Sequence, residues 1–138
     1  MMYEKEMYHF LILHFPIALF ITGYIFDVAG YIKSDNQLKK FSYWNMIMGV
    51  FWGILAIITG FITDQDIGHM DSPFPIWSTH GTHMILSVFL FISIIIIKNL
   101  SKNGKLLISE RFILLFHSLS LIFFMHGAHI GAKLADRL

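Results

Sequence analysis

The chain contains no cysteine among its 138 residues, and this absence excludes several kinds of site at once. Disulfide bonds, thiolate metal sites, iron–sulfur clusters and covalently attached haem all require cysteine. Any metal or cofactor must therefore be held by histidine, methionine or carboxylate side chains. Charge is also scarce, since 14% of the residues are charged and the net charge is +1, which argues against a nucleic-acid partner.

The polar surface that a soluble globule of this size needs is missing as well. Hydrophobic residues make up 56% of the chain, and the mean hydropathy is +0.65. Residues 8–32, 41–63, 77–97 and 106–130 each contain a run of mostly apolar residues close to the ~20 that cross a bilayer as a helix. Because the backbone must satisfy its own hydrogen bonds in lipid, the sequence predicts an all-α, integral membrane four-helix bundle. We expect one up-down-up-down domain over residues 1–138.

The positions of the basic residues predict which end of the bundle faces the cytoplasm. Seven of the ten Lys and Arg residues lie in or beside the first and third connections: Lys33, Lys39, Lys40, Lys98, Lys102, Lys105 and Arg111. The second connection, residues 64–78, carries three aspartates and no Lys or Arg. Since basic loops are retained in the cytoplasm, we expect both termini and the second connection to be extracytoplasmic.

Most of the eight histidines fall in the outer half of the predicted bundle. Counted along the helices from the inner basic residues, His83 and His126 lie ~22 Å from the inner surface. His14, His80 and His129 lie ~27–28 Å from it. The spacings of His80 with His83 and of His126 with His129 are i, i+3, which places each pair on one helix face. The pattern predicts a histidine site, whereas His9 and His69 are interpreted as ordinary interfacial residues.

Imidazoles from opposed helices suit the axial ligation of a b-type haem, with His14 paired with His80 or His129, and His83 with His126 at a second site. This favours a membrane electron-transfer protein whose histidine-ligated site lies near the extracytoplasmic side, with quinone or a redox protein as partner, rather than a stand-alone enzyme. The alternative is a protein that binds or handles copper, zinc or iron through the same histidines, with Asp64 as a weak further ligand. A third is a non-catalytic subunit or assembly factor, homo-oligomeric or part of a larger complex, whose histidines only pack.

Two ionisable residues lie deep at the inner end. Asp27 and His117 each lie six residues from a basic residue at the inner boundary, or ~9 Å into the membrane. An interaction between them is the simplest way to lower the cost of burying both. The sequence predicts an inner polar pair, with a structural role or a role in proton or quinone chemistry.

The opening stretch His9–Leu19, HFLILHFPIAL, resembles the H-P-x-x-V-H-F-P-I-A-L motif of the bacterial four-helix membrane proteins catalogued as DUF2231. The Thr59-Gly60 step before Asp64, and His126-Gly127 followed by Gly131, are similar to motifs later in that family. Phe10 stands where the family usually has proline. The resemblance implies a multi-pass protein of the bacterial inner membrane and draws attention to His9, His14, Asp64 and His126.

Overall fold

The computed structural model describes residues 2–67 and 79–135. This part of the chain forms four α-helices: α1 (Met2–Ile32), α2 (Asn36–Ile67), α3 (His80–Lys102) and α4 (Glu110–Ala135). Helix α1 packs most extensively on α2, and α3 on α4, while α2 also contacts α3 and α1 contacts α4. The prediction of an all-α four-helix bundle is confirmed.

Each helix is long and apolar enough to cross a membrane, over Met7–Ile32, Asn36–Thr63, His80–Lys102 and Glu110–Lys133. Large apolar side chains cover the outside of the bundle, with Phe89 60% and Ile122 65% exposed. A water-soluble protein rarely exposes so large a continuous apolar surface. The chain is therefore a membrane protein whose outer surface faces lipid.

Two helix starts differ from the predicted ones because of capping. Helix α2 begins at Asn36 rather than 41, since the Asp35 carboxylate accepts a hydrogen bond of 2.7 Å from the N–H of Gln37. Helix α4 begins at Glu110 rather than 106, since the Ser109 hydroxyl accepts one of 3.2 Å from the N–H of Phe112. Such caps satisfy N–H groups that have no partner within the helix.

The starts of α1 and α3 also differ from the predicted ones. Helix α1 already begins at Met2, six residues before the predicted start at 8. Helix α3 begins at His80, after the extended residue Thr79, and the predicted start at 77 lies outside the described residues.

The connections α1–α2 and α3–α4 leave their first helix through the same type of turn. Ser34 and Gly104 adopt left-handed conformations, with φ of 52° and 68°. The next residue in each case donates its N–H to a carbonyl five residues back, from Asp35 to Gly30 and from Lys105 to Leu100, both at 2.9 Å. This is the Schellman pattern, which ends a helix and satisfies its last carbonyl groups.

The interior faces of the helices follow alternating spacings of three and four residues. On α1 the buried positions are Pro16, Phe20, Gly23, Asp27 and Gly30; on α2 they are Ser42, Met46, Gly49 and Gly53; on α4 they are Ile113, His117, Ser120, Phe124 and Gly127. These spacings keep one narrow seam of each helix towards its partners, as in antiparallel bundles with small crossing angles.

An aromatic layer closes the middle of the bundle. Phe20 of α1 stacks on Phe91 of α3, with ring centroids 3.7 Å apart and planes at 4°, and Phe124 of α4 meets Phe20 edge-on at 5.1 Å. Gly49 of α2 makes room for this layer, because a Cβ there would lie 2.6 Å from Phe20 Cε1. All four helices therefore contribute to one dry central layer.

Candidate functional site

The end of the bundle that carries both chain termini, here the terminal end, holds six of the histidines that the structure describes, and four of these, from three helices, form one group. We name His9, His80, His83 and His126 the histidine cluster. The opposite end, with the two short connections, is the turn end. Each ring of the cluster has a hydrogen bond that orients it.

His83 is the most buried ring of the cluster, with 1% of its surface exposed. Its Nδ1–H donates to the backbone oxygen of Thr79 at 3.0 Å. A carbonyl oxygen can only accept, so in the neutral ring Nε2 carries a lone pair. That lone pair accepts a hydrogen bond of 3.2 Å from Nδ1 of His126, which lies at the exposed edge of α4.

Two glycines of α4 make room for the α3 histidines. His80 donates from Nδ1 to the backbone oxygen of Gly127 at 2.8 Å. A Cβ on Gly131 would lie 2.6 Å from His80 Cε1, and one on Gly127 would lie 2.5 Å from His83 Cβ. The close approach of α3 and α4 at this end therefore depends on both glycines.

His9 connects α1 to α2 at the same end of the bundle. Its Nδ1 lies 3.0 Å from the Thr59 hydroxyl, whose own hydrogen points to the carbonyl oxygens of Leu55 and Ala56 at 3.0 and 3.1 Å. The hydroxyl therefore accepts from His9, and Nε2 of His9 is left with its lone pair.

Three rings of the cluster thus share one chemical arrangement. His9, His80 and His83 each bind a protein oxygen through Nδ1 and keep Nε2 as an acceptor. Metal-ligating histidines commonly have this arrangement, because the second hydrogen bond fixes the tautomer and the ring orientation. Across residues 2–67 and 79–135, however, no three His, Cys, Asp or Glu side chains converge on one possible metal position.

The structure brings His83 and His126 together but does not join His14 to His80 or His129. His14 is exposed and its Nδ1 donates to the backbone oxygen of Phe10, 2.5 Å away on the same helix. His129 is exposed and has no hydrogen-bond partner within the described residues. The expected first ligand pair is therefore not formed in this packing. The side chain of Asp64, and all of His69, lie outside the described residues.

His14 lies away from the cluster because of its angular position around α1. His9 lies seven residues before Pro16, and so on the interior seam of α1, whereas His14 lies two residues before it, ~200° around the helix. The interpretation of His9 as an ordinary interfacial residue did not specify its contact with Thr59. The three-and-four spacing that runs back along α1 from Asp27 through Phe20 indicates that His9 lies on the interior seam.

The turn end holds a second polar cluster, which we name the polar triad: Asp27, Lys98 and His117. Asp27 accepts a hydrogen bond from Lys98 Nζ at 2.5 Å through one carboxylate oxygen. Its other oxygen accepts one from His117 Nδ1 at 2.9 Å. Ser42 lies 3.4 Å from Lys98 Nζ, so every helix contributes to this layer.

The structure thus brings Asp27 and His117 together, as the sequence analysis expects, and adds Lys98. The sequence analysis placed Lys98 at the membrane boundary, whereas its side chain turns inward and is 15% exposed. A long flexible lysine can direct its ammonium towards a buried carboxylate instead of water. His117 is fully buried, and its Nε2 has no hydrogen-bond partner within the described residues.

The chain belongs to the family of predicted membrane proteins DUF2231, whose profile matches residues 7–138. Comparison with curated proteins and comparison with solved structures gave no match. The family description gives a membrane location and no reaction.

Proposed function

We propose that this DUF2231 protein binds a transition-metal ion through the histidine cluster, with His83 and His126 as its first two ligands. One observation carries the proposal: His83 Nε2 and His126 Nδ1 lie 3.2 Å apart on two different helices. Metal–imidazole bonds are about 2.0–2.1 Å long, so two such bonds at a tetrahedral angle put their nitrogens about 3.3 Å apart. The hydrogen-bonded pair already has this spacing.

The rest of the cluster supports the same chemistry. A metal could replace the proton that lies between His126 and His83, while Thr79 continues to hold the other nitrogen of the His83 ring. His80 and His9 lie at the same end of the bundle with Nε2 lone pairs, and they are the candidates for a third nitrogen ligand. All-nitrogen sites of this kind favour copper, zinc, nickel or iron over magnesium or calcium.

A b-type haem fits this packing less well than a single ion. The spaces beside Gly127 and Gly131 are filled by the rings and stems of His83 and His80, so a macrocycle would require α3 and α4 to separate. Haem ligation and electron transfer with a quinone remain predictions. A bound-haem absorption band is therefore one outcome of the test below, and it would replace the metal proposal.

The test measures metal content and metal affinity in purified protein. We expect zinc or copper to co-purify by elemental analysis, and added Co²⁺ to give visible ligand-field absorption from nitrogen coordination. The His126→Gln variant should lose at least tenfold in affinity for the ion, and it should fold normally because His126 is exposed. His14→Gln is the matched control, since it removes an exposed histidine outside the cluster.

Equal metal affinity in the wild type and in the His126→Gln and His83→Gln variants would refute the proposal. In that case the histidines serve packing, and the protein is better regarded as a subunit or assembly factor. Because protons compete with metal for imidazole nitrogens, binding should also weaken as the pH falls.

We also propose that the terminal end, and with it the metal site, lies outside the cytoplasm in a bacterial inner membrane. The support is the seven basic residues in or beside the two short connections and the acidic second connection. A periplasmic reporter should be active when fused after Asp66 and inactive when fused after Lys39 or Asn103. The reverse pattern would place the metal site on the cytoplasmic side.

A further inference from the structure

We infer that the turn end of the bundle carries a binding site for an anionic phospholipid, with one acyl chain in a groove along α1 and the headgroup phosphate held by Lys33 and Arg111. This inference is independent of the proposed metal site, because neither residue belongs to the histidine cluster. It also holds for either orientation of the bundle, since it depends only on what lies at the turn end.

The groove lies on the side of α1 where Ile25 and Ile32 are exposed, and its volume is about 420 Å³. Its lining is apolar between the two polar residues at its ends: Tyr24, Ile25, Val28, Ala29, Ile32 and Lys33. From Tyr24 to Lys33 the helix rises about 14 Å, close to half of the ~30 Å hydrocarbon core of a bilayer. The groove therefore runs from the membrane boundary to near the midplane, as an acyl chain of one leaflet does.

Two tyrosines of α1 fix the side of the groove that faces α4. Tyr24 lines the groove, and its hydroxyl bonds to the Ser118 hydroxyl at 2.8 Å. Tyr31 lies seven residues further on, and so on the same helix face. The hydroxyl of Tyr31 accepts a hydrogen bond of 2.8 Å from Nε of Arg111. Arg111 is therefore held at the turn end of the same groove.

The guanidinium of Arg111 is available to an anion. The bond to Tyr31 uses only Nε, and Arg111 has no carboxylate partner within the described residues. The side chain is exposed, so its two terminal nitrogens can both donate to one phosphate. Lys33 is exposed as well, and it lines the groove where the headgroup of a lipid lying there would be.

The charge of the turn end favours an anionic headgroup over a zwitterionic one. Two of its lysines are neutralised by carboxylates, Lys39 by Glu110 at 2.6 Å and Lys98 by Asp27. The other basic residues there have no carboxylate partner in residues 2–67 and 79–135: Lys33, Lys40, Lys102, Lys105 and Arg111. Basic residues clustered at a membrane surface attract anionic lipids.

The experiment measures lipid binding to the whole delipidated chain in neutral detergent by native mass spectrometry. The probes are dioleoyl phosphatidylglycerol and dioleoyl phosphatidylcholine, which share their acyl chains, so that the difference between them reports on the headgroup. We expect phosphatidylglycerol to bind about tenfold more tightly or better, because two cations contribute. An excess of glycerol 3-phosphate should not displace it. Displacement would contradict the inference, since it would mean that the phosphate binds without the acyl chain.

Three variants and one control locate the site. Lys33→Gln and Arg111→Gln should each weaken phosphatidylglycerol binding about fivefold and leave phosphatidylcholine binding unchanged. Ala29→Phe fills the groove and should weaken the binding of both lipids. Lys102→Gln is the matched control, because it removes an unpaired lysine of the same end from α3, outside the groove. The control should bind both lipids as the wild type does.

The inference is overturned if the wild type binds both lipids equally, or if Ala29→Phe binds phosphatidylglycerol as tightly as the wild type. It is also overturned if Lys102→Gln weakens binding as much as Lys33→Gln, because the attraction is then diffuse surface charge without a site. All four substitutions change exposed or half-buried side chains, so each variant should keep the helical circular dichroism of the wild type.

Discussion

Replacing Gly49 by alanine adds a single methyl group to the aromatic layer at the centre of the bundle. The new Cβ would lie 2.6 and 2.7 Å from two carbons of the Phe20 ring, well inside van der Waals contact. The ring cannot easily withdraw, because it is fully buried and stacked on Phe91 at 3.7 Å with Phe124 against its edge. Helix α2 must therefore move away from α1, or Phe20 must leave its rotamer.

The magnitude follows from two opposing effects. Overpacking a well-filled core by one methyl group costs about 1–3 kcal/mol. Alanine in place of glycine inside a helix recovers about 0.5–1 kcal/mol. We therefore expect Gly49→Ala to lower the free energy of unfolding by about 1–2 kcal/mol.

The measurement is equilibrium unfolding in mixed micelles, followed by tryptophan fluorescence and helical circular dichroism. Gly53→Ala is the matched control on the same face of α2, because its Cβ would meet only one methyl group, Val88 Cγ2 at 3.0 Å. We expect a smaller loss there. Phe20→Leu should cost less stability in the Gly49→Ala background than in the wild type, since it relieves the clash. Unchanged stability of Gly49→Ala, or strict additivity with Phe20→Leu, would refute the described packing.

Three further predictions concern the helix ends and the two polar clusters. Ser34→Gly should stabilise the protein by about 0.5–1 kcal/mol in thermal unfolding, because Ser34 occupies a left-handed conformation that glycine adopts without strain; a loss of stability would contradict the turn. Gly131→Ala should destabilise the protein by about 1–2 kcal/mol, because the new methyl group forces His80 off the Gly127 carbonyl. The imidazole NMR signals of His80 should shift in this variant. Asp27→Asn should cost about 3–5 kcal/mol by leaving the Lys98 charge buried without its partner, and the Asp27→Asn/Lys98→Met double variant should cost less than the sum of the two single changes.

The sequence is sufficient to predict the four helices, because span length and apolar content determine them with little help from tertiary packing. Rotation of each helix about its own axis is harder to read. In a membrane helix both faces are apolar, so hydrophobic periodicity does not mark the interior. Small and polar residues mark it instead, as Gly23, Asp27 and Gly30 do on α1. Extending that seam back along α1 places His9 on the interior face and His14 off it.

The depth of each polar residue in the membrane was easier to predict than the side chain that it contacts. Equal depth placed Asp27 beside His117 and His83 beside His126, and both pairs are in hydrogen-bond contact, because the helical rise measures depth along the membrane. The helical rise also placed Lys98 at the inner membrane boundary, because it measures the depth of the backbone and takes no account of side-chain length. The lysine stem lets the ammonium reach a carboxylate on the diagonal helix, a contact that only the packed structure reveals.

The aromatic layer bears on whether the two polar clusters act together. Along α3 the order is His83, Phe91 and Lys98, and Phe91 both stacks on Phe20 and lies perpendicular to the ring of His117, with centroids 5.8 Å apart. The dry layer therefore separates the clusters, and a change in charge at one end reaches the other only if the helices shift. Metal added at the terminal end should leave the NMR signals of His117 unchanged. A shift of those signals on metal binding would instead mean that α3 and α4 move as rigid rods, with Phe91 carrying the displacement to the triad.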